Sequence, residues 1–193
     1  MSRGGGLAGL MLVFLSACAA SPAPPAATGD AVRPAAERGE ILAVALADAD
    51  RARERGDLTA LKRSLAIIRR LRARPLDDEA RAERAEWDAL VPDDAPPVRG
   101  RALGPGYHRG TIGGARDRTF EQIFLSGKKS VVSLATPDGS PLALRITGGS
   151  GKRICGERAP KAICKWTPIF TQRHVIEIAN PGRSRVSYYL VID

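Results

Sequence analysis

Residues 119–136 read TFEQIFLSGKKSVVSLAT, and this stretch decides the fold class. Thr119 to Leu125 and Ser130 to Thr136 are rich in β-branched and aromatic residues, and Ser126-Gly127-Lys128-Lys129 between them is turn chemistry. The pattern predicts a β-hairpin. Working outward, Pro137-Asp138-Gly139-Ser140 is a second turn, Leu142 to Thr147 a third strand, and Gly148 to Lys152 a loop. Trp166-Thr167-Pro168 follows a pair of cysteines. His174 to Ala179 then alternates Val175 and Glu177 against Ile176 and Ile178, Asn180-Pro181-Gly182 turns, and Val186 to Ile192 forms the closing strand. Five to seven short strands over about 85 residues predict an antiparallel β-sandwich, jelly-roll-like.

Upstream of the strands the pattern changes. Val91 to Gly106 (VPDDAPPVRGRALGPG) holds four prolines and three glycines, which reads as a linker. Before it, Ala35 to Leu90 has no β-branched run and places Ile41, Val44 and Leu46, then Leu58, Leu61, Leu65, Ile68 and Leu71, at helical spacing. Pro34 suits a first helical turn, Gly56 a C-terminal cap, and Asp57 the N-cap of a second helix that Pro75 stops. Asp77 caps a third helix running to about Leu90, with Asp78 and Glu79 in its first turn to complement the helix dipole. The expectation is an α+β multidomain chain. It comprises a signal peptide over 1–17, a tether over 18–33, a helical hairpin or three-helix segment over 34–91, a linker over 92–108, and a sandwich over 109–193.

Two resemblances attach to these pieces. The strand before Gly127, the strand after it, the Asp138-Gly139 turn, Trp166-x-Pro168, and the run from Val175 to Tyr189 with its Asn180-x-Gly182 turn resemble the bacterial pre-peptidase C-terminal domain, a small β-sandwich of exported proteins. Members of that family often carry acidic residues in the strand after the second hairpin, where calcium binds. Here that strand reads PLALRI over 141–146, so the resemblance implies the fold and no calcium. Gly56-Asp57, Ala60-Leu61 and Pro75-Leu76-Asp77-Asp78 resemble one tetratricopeptide-type helical pair, without its large aromatic positions and without the further repeats that bury a solenoid core.

The N-terminus supplies an address. Arg3 precedes an apolar run from Leu7 to Leu15, about nine residues, which is signal-peptide length and short of the roughly 20 a spanning helix needs. Leu15-Ser16-Ala17-Cys18 resembles the lipobox of bacterial lipoproteins, which implies acylation of Cys18 and a membrane-anchored envelope protein. Ala17-Cys18-Ala19 also fits small-x-small secretory cleavage, which would release a soluble protein. Ala19 to Gly29 (AASPAPPAATG) is an uncharged tether, and Ala19 resembles the outer-membrane sorting pattern, facing the periplasm or the cell surface.

An oxidising compartment leaves Cys155 and Cys164 as an even pair, which reads as a disulfide. Closing a loop of that size contributes roughly 2.5 to 3 kcal/mol in the chain-entropy model. Zinc is the rival, but it needs cysteines two to four residues apart and further ligands nearby, and neither His108 nor His174 clusters with them in sequence.

Charge is lopsided. The chain up to Pro97 has 14 Lys/Arg against 15 Asp/Glu, whereas from Val98 on it has 16 against 6, so the sandwich half carries the whole of the net +9. Lys128, Lys129, Arg145, Lys152, Arg153, Lys161, Lys165 and Arg173 are the candidate anion-binding residues, to be presented together from loops and turns. Export removes nucleic acid from the partners, leaving an anionic envelope polymer or a protein partner.

Catalytic constellations are wanting. Gly148-Gly149-Ser150-Gly151-Lys152 lacks the first glycine of a phosphate loop, and Arg153 stands where Ser or Thr must hold magnesium. There is no G-x-S-x-G and no H-E-x-x-H. His174 heads an alternating strand, where a packed or surface histidine is the ordinary case. The expected function is therefore a non-enzymatic binding module without metal or cofactor. A helical pair that grips a partner peptide is the alternative, and an envelope hydrolase using His174 is the remaining one.

Overall fold

The computed structural model describes residues 37–92 and 104–193 of the chain. The proposed signal peptide, Cys18, the tether, Pro34 and most of the linker lie outside the described residues.

The helices begin where the capping chemistry places them. Helix α1 spans Arg38–Glu54, α2 Leu58–Arg70 and α3 Asp78–Leu90. The Asp57 carboxylate accepts from the Ala60 N–H at 2.9 Å and that of Asp77 from the Ala80 N–H at 2.7 Å, satisfying N-terminal amides that the helices themselves leave unpaired. Gly56, at φ +68°, takes the left-handed conformation that follows α1. Helix α2 ends at Arg70, before Pro75, because Arg74–Pro75 forms a short strand, β1. There the Arg74 N–H donates to the carbonyl of Pro105 and the Leu76 N–H to that of Tyr107.

Eight further strands follow: β2 Gly106–Ile112, β3 Arg116–Phe124, β4 Ser130–Ala135, β5 Leu142–Thr147, β6 Arg153–Ala159, β7 Lys161–Trp166, β8 Gln172–Asn180 and β9 Val186–Ile192. They make two sheets, A in the order β1-β2-β9-β4-β7 and B in the order β3-β8-β5-β6. Apart from β1, which runs parallel to β2, every pairing is antiparallel. The expected α+β class and β-sandwich are thus present.

The hairpin expected over 119–136 is not. The two strands fall at the stated positions, but β3 pairs with β8 in sheet B while β4 pairs with β7 and β9 in sheet A. The turn at Ser126–Lys129 carries the chain from one sheet to the other, and of the connections after β2 only that from β5 to β6 stays within a sheet. Strands β6 and β7 were not separately anticipated. They are bridged by Cys155 and Cys164, whose Cα atoms lie 5.8 Å apart, so the disulfide joins the edge of sheet B to the edge of sheet A.

The division into a helical segment and a separate sandwich is also corrected. Along β9, Tyr188 and Leu190 point into the core between the sheets, while Tyr189 and Val191 point into a second core shared with the helices. That second core takes Leu42 and Leu46 from α1, Leu61, Leu65 and Ile68 from α2, and Trp87 from α3, all fully buried. Six such side chains at roughly 1.5–3 kcal/mol each contribute on the order of 10 kcal/mol, comparable to the whole net stability of an ordinary domain. The helices are therefore a third layer on sheet A, and residues 106–108, assigned to the linker, are the start of β2, held between β1 and β9. Helix α3 lies chiefly on β1 and β2 and meets the α1–α2 hairpin in only a small area.

Candidate binding surface

The outer face of sheet B is open to solvent. Its cross-strand register places Thr119, Glu177, Arg145 and Gly156 in one row and Asp117, Ala179, Ala143 and Arg158 in the next. Small residues at Ala143 and Gly156 leave a depression of about 200 Å³, also lined by Arg145, Arg153, Arg158 and Glu177. A bulge between Ile146 and Thr147 brings Arg153 opposite Thr147, at the end of the same depression. Arg145 donates to the Glu177 carboxylate at 2.6 Å. Arg153 and Arg158 form no ion pair among the described residues, and the Glu157 carboxylate is engaged by the backbone N–H of Ile163 at 2.7 Å. Two guanidiniums without an ion pair among the described residues, over a floor of small residues, can take a carboxylate or phosphate in bidentate fashion.

The eight candidate cations do not form one patch. Arg145 and Arg153 meet in this groove, joined by Arg158. Arg173 lies on the same face, paired with Glu121 at 2.8 Å. Lys128 and Lys152 occupy turns at the end of the sandwich where β3, β5 and β7 finish, exposed and without an ion pair among the described residues. Lys129 is paired with Glu37 at 2.5 Å, and Lys165 approaches Glu40 at 3.7 Å, both at the start of α1. The Lys129 hydrogen bond holds the Glu37 carboxyl below its usual range. Lys161 belongs to the opposite end, opposite Ala135.

His174 is a core residue. It is 1% exposed, its Nδ1 lies 3.1 Å from the Gln172 carbonyl, and its ring packs against Phe124 and Trp166 with centroids at 5.2 and 5.5 Å. That environment keeps substrate and water away. Among the described residues no three His, Cys, Asp or Glu side chains are grouped to hold a metal ion, and no helix is long and apolar enough to cross a membrane.

The largest titration shifts lie under α3. Burial pushes Glu83 up to about 7 against the opposing effects of a 2.7 Å hydrogen bond from Tyr189 and the Arg109 guanidinium 2.5 Å away. Arg109 also reaches Glu79, and His108 Nδ1 lies 2.9 Å from Asp77. These contacts latch α3 to β2 and β9. Glu83 is only 6% exposed, so its carboxyl serves as the buried part of a structural clasp.

Sequence reasoning named Arg145 and Arg153 but not Gly156, whose missing side chain makes the floor. It also left Ile169 and Phe170 in an unremarked loop, although two large apolar residues immediately after Pro168 are a legible signal.

No family model and no curated protein matches this chain. Solved structures are similar to it in part. The pre-peptidase C-terminal domain of a collagenase from Bacillus anthracis shares 15% identity at a TM-score of 0.39, over 45% of this chain and 87% of that one. The Yersinia pseudotuberculosis-derived mitogen shares 14% at 0.39, over 46% and 84%. A periplasmic inhibitor of g-type lysozyme from Aeromonas hydrophila shares 9% at 0.39, over 51% and 93%.

Proposed function

We propose that this chain is a lipid-anchored envelope protein whose sandwich is a non-enzymatic binding module for an anionic envelope polymer or an acidic partner protein. The observation that carries the reading is the groove at Arg145, Arg153 and Arg158, which presents three guanidiniums around Gly156 and neutralises one of them, through Glu177. Such a site needs no metal or cofactor, and its affinity falls with salt because exposed charges are screened. The anchor is Cys18, in the outer membrane and facing the periplasm or the cell surface.

Retention of the protein on immobilised peptidoglycan and lipopolysaccharide tests this. Salt-sensitive retention that Arg153→Glu/Arg158→Glu reduces by about tenfold supports it. No salt-sensitive retention on either polymer, and none on acidic envelope proteins, overturns it. Mass spectrometry of the native N-terminus tests the anchor separately, by the acyl mass on Cys18.

A second reading is favoured by a groove on the α1–α2 pair. Ile41, Val44, Ala45 and Ile67 line a depression of about 240 Å³ that shares Asp48 and Ile67 with another of about 400 Å³, rimmed by Arg51, Arg55 and Arg63. It suits an amphipathic peptide with acidic flanks. Because these helices complete the core, the test is Ile67→Glu rather than deletion of the helical segment. Partner co-purification unchanged by that variant sinks it.

A further inference from the structure

Seven large apolar side chains are exposed among the described residues, and five of them, Ile123, Leu125, Ile154, Ile169 and Phe170, belong to one end of the sandwich. Ile169 is 79% exposed and Phe170 70%, far beyond the scattered apolar exposure of an ordinary surface. The loop that carries them is held in place. Ser126 donates through its Oγ to the Ile169 carbonyl at 2.5 Å, and its N–H donates to Thr171 Oγ1 at 3.0 Å. The Gly127 N–H donates to the Pro168 carbonyl at 2.9 Å. The backbone carbonyls of Pro168 and Ile169 and the side chain of Thr171 are thus fixed to the Ser126-Gly127 turn, which holds the loop carrying Ile169 and Phe170 at this end of the sandwich.

Two further observations identify what this end meets. Lys128 and Lys152 stand in the adjoining turns, without ion pairs among the described residues, so the apolar tip is accompanied by uncompensated positive charge. The chain also enters the fold here, since Glu37 at the head of α1 is paired with Lys129 of the same turn. The first described residue, Glu37, therefore lies at this end.

We propose that this end of the sandwich docks on an anionic lipid surface, with Ile169 and Phe170 entering the headgroup–acyl boundary and Lys128 and Lys152 against lipid phosphates. Apolar burial and attraction to anionic headgroups act together in such interfacial binding. The orientation rests on the reading of Cys18 as the anchor; the docking itself rests on the tip.

The test separates the two. The chain from residue 18 onward, carrying Cys18→Ser, retains both cores, which are complete among the described residues. It is floated with vesicles of phosphatidylglycerol and phosphatidylethanolamine and with vesicles of phosphatidylcholine alone. Flotation is expected with the anionic vesicles and to be about tenfold weaker with the zwitterionic ones. Ile169→Ser/Phe170→Ser is expected to lower it by about tenfold, and Lys128→Glu/Lys152→Glu to lower it and remove its salt dependence. A Phe170→Trp variant should add fluorescence that brominated lipid quenches. No flotation, or flotation that the double serine variant leaves unchanged, overturns the proposal. Flotation lost only in Arg153→Glu/Arg158→Glu also overturns it, by assigning the lipid to the groove. Loss of polymer retention with flotation intact would instead refute the proposed function and leave the tip standing.

Discussion

Strands β3 and β4 are neighbours in sequence and opposites in environment. All six residues of β4 are buried, whereas β3 buries only Phe124 of its nine. The reason is the layer on the far side: α1 covers sheet A at β4 and β9, and no described element covers the outer face of sheet B. Packing therefore concentrates on the helix side of the molecule, and side chains on the other side are free to be chosen for what they bind.

The most severe test of this contrast is Trp87→Ala. Trp87 is fully buried between α3 and sheet A, with Tyr189 at 6.3 Å between ring centroids, so the variant should lose about 3–5 kcal/mol in urea denaturation. A loss below about 1 kcal/mol would mean that the helices are not part of the stabilising core.

A smaller effect is expected from pH. Glu83 is raised from 4.5 to about 7, chiefly by burial, so the folded state holds its proton more tightly than the unfolded state does. The contribution of this group to stability is fully present below pH 4.5 and is lost as pH rises to about 7, amounting to about 3 kcal/mol. Glu83→Gln should flatten the stability profile across that window. A slope unchanged by the variant would show that the clasp is not what titrates.

The least effect belongs to the open face. Arg145 is half exposed and paired with an accessible Glu177, so Arg145→Ala should change stability by no more than about 0.5 kcal/mol while lowering polymer retention. A larger loss would make the groove structural and erase the distinction between the faces.

Local chemistry was the legible part of this sequence. Asp57 and Asp77 announce their helices because a capping carboxylate acts within three residues, and Val186 to Ile192 announces a strand by composition alone. The pairing of 119–125 with 130–136 was not legible, since a turn of that composition serves equally to close a hairpin or to change sheets. The buried run SVVSLA did hold a clue, because a strand covered on both faces loses its alternation. The site was half legible: Arg145 and Arg153 are visible as charges, but their meeting depends on a bulge and on Gly156. Lys129 and Lys165 look equally available in sequence and are instead engaged by α1.

The position of β9 has a consequence for how the protein is made. It is the last of the described strands, yet it lies between β2 and β4 in the middle of sheet A and contributes to both cores. Sheet A cannot close until residues 186–192 have arrived, so a chain delivered from its N-terminus has to wait, with its helices and earlier strands unsealed. Such long-range closure makes folding slow and leaves apolar surface open in the interval.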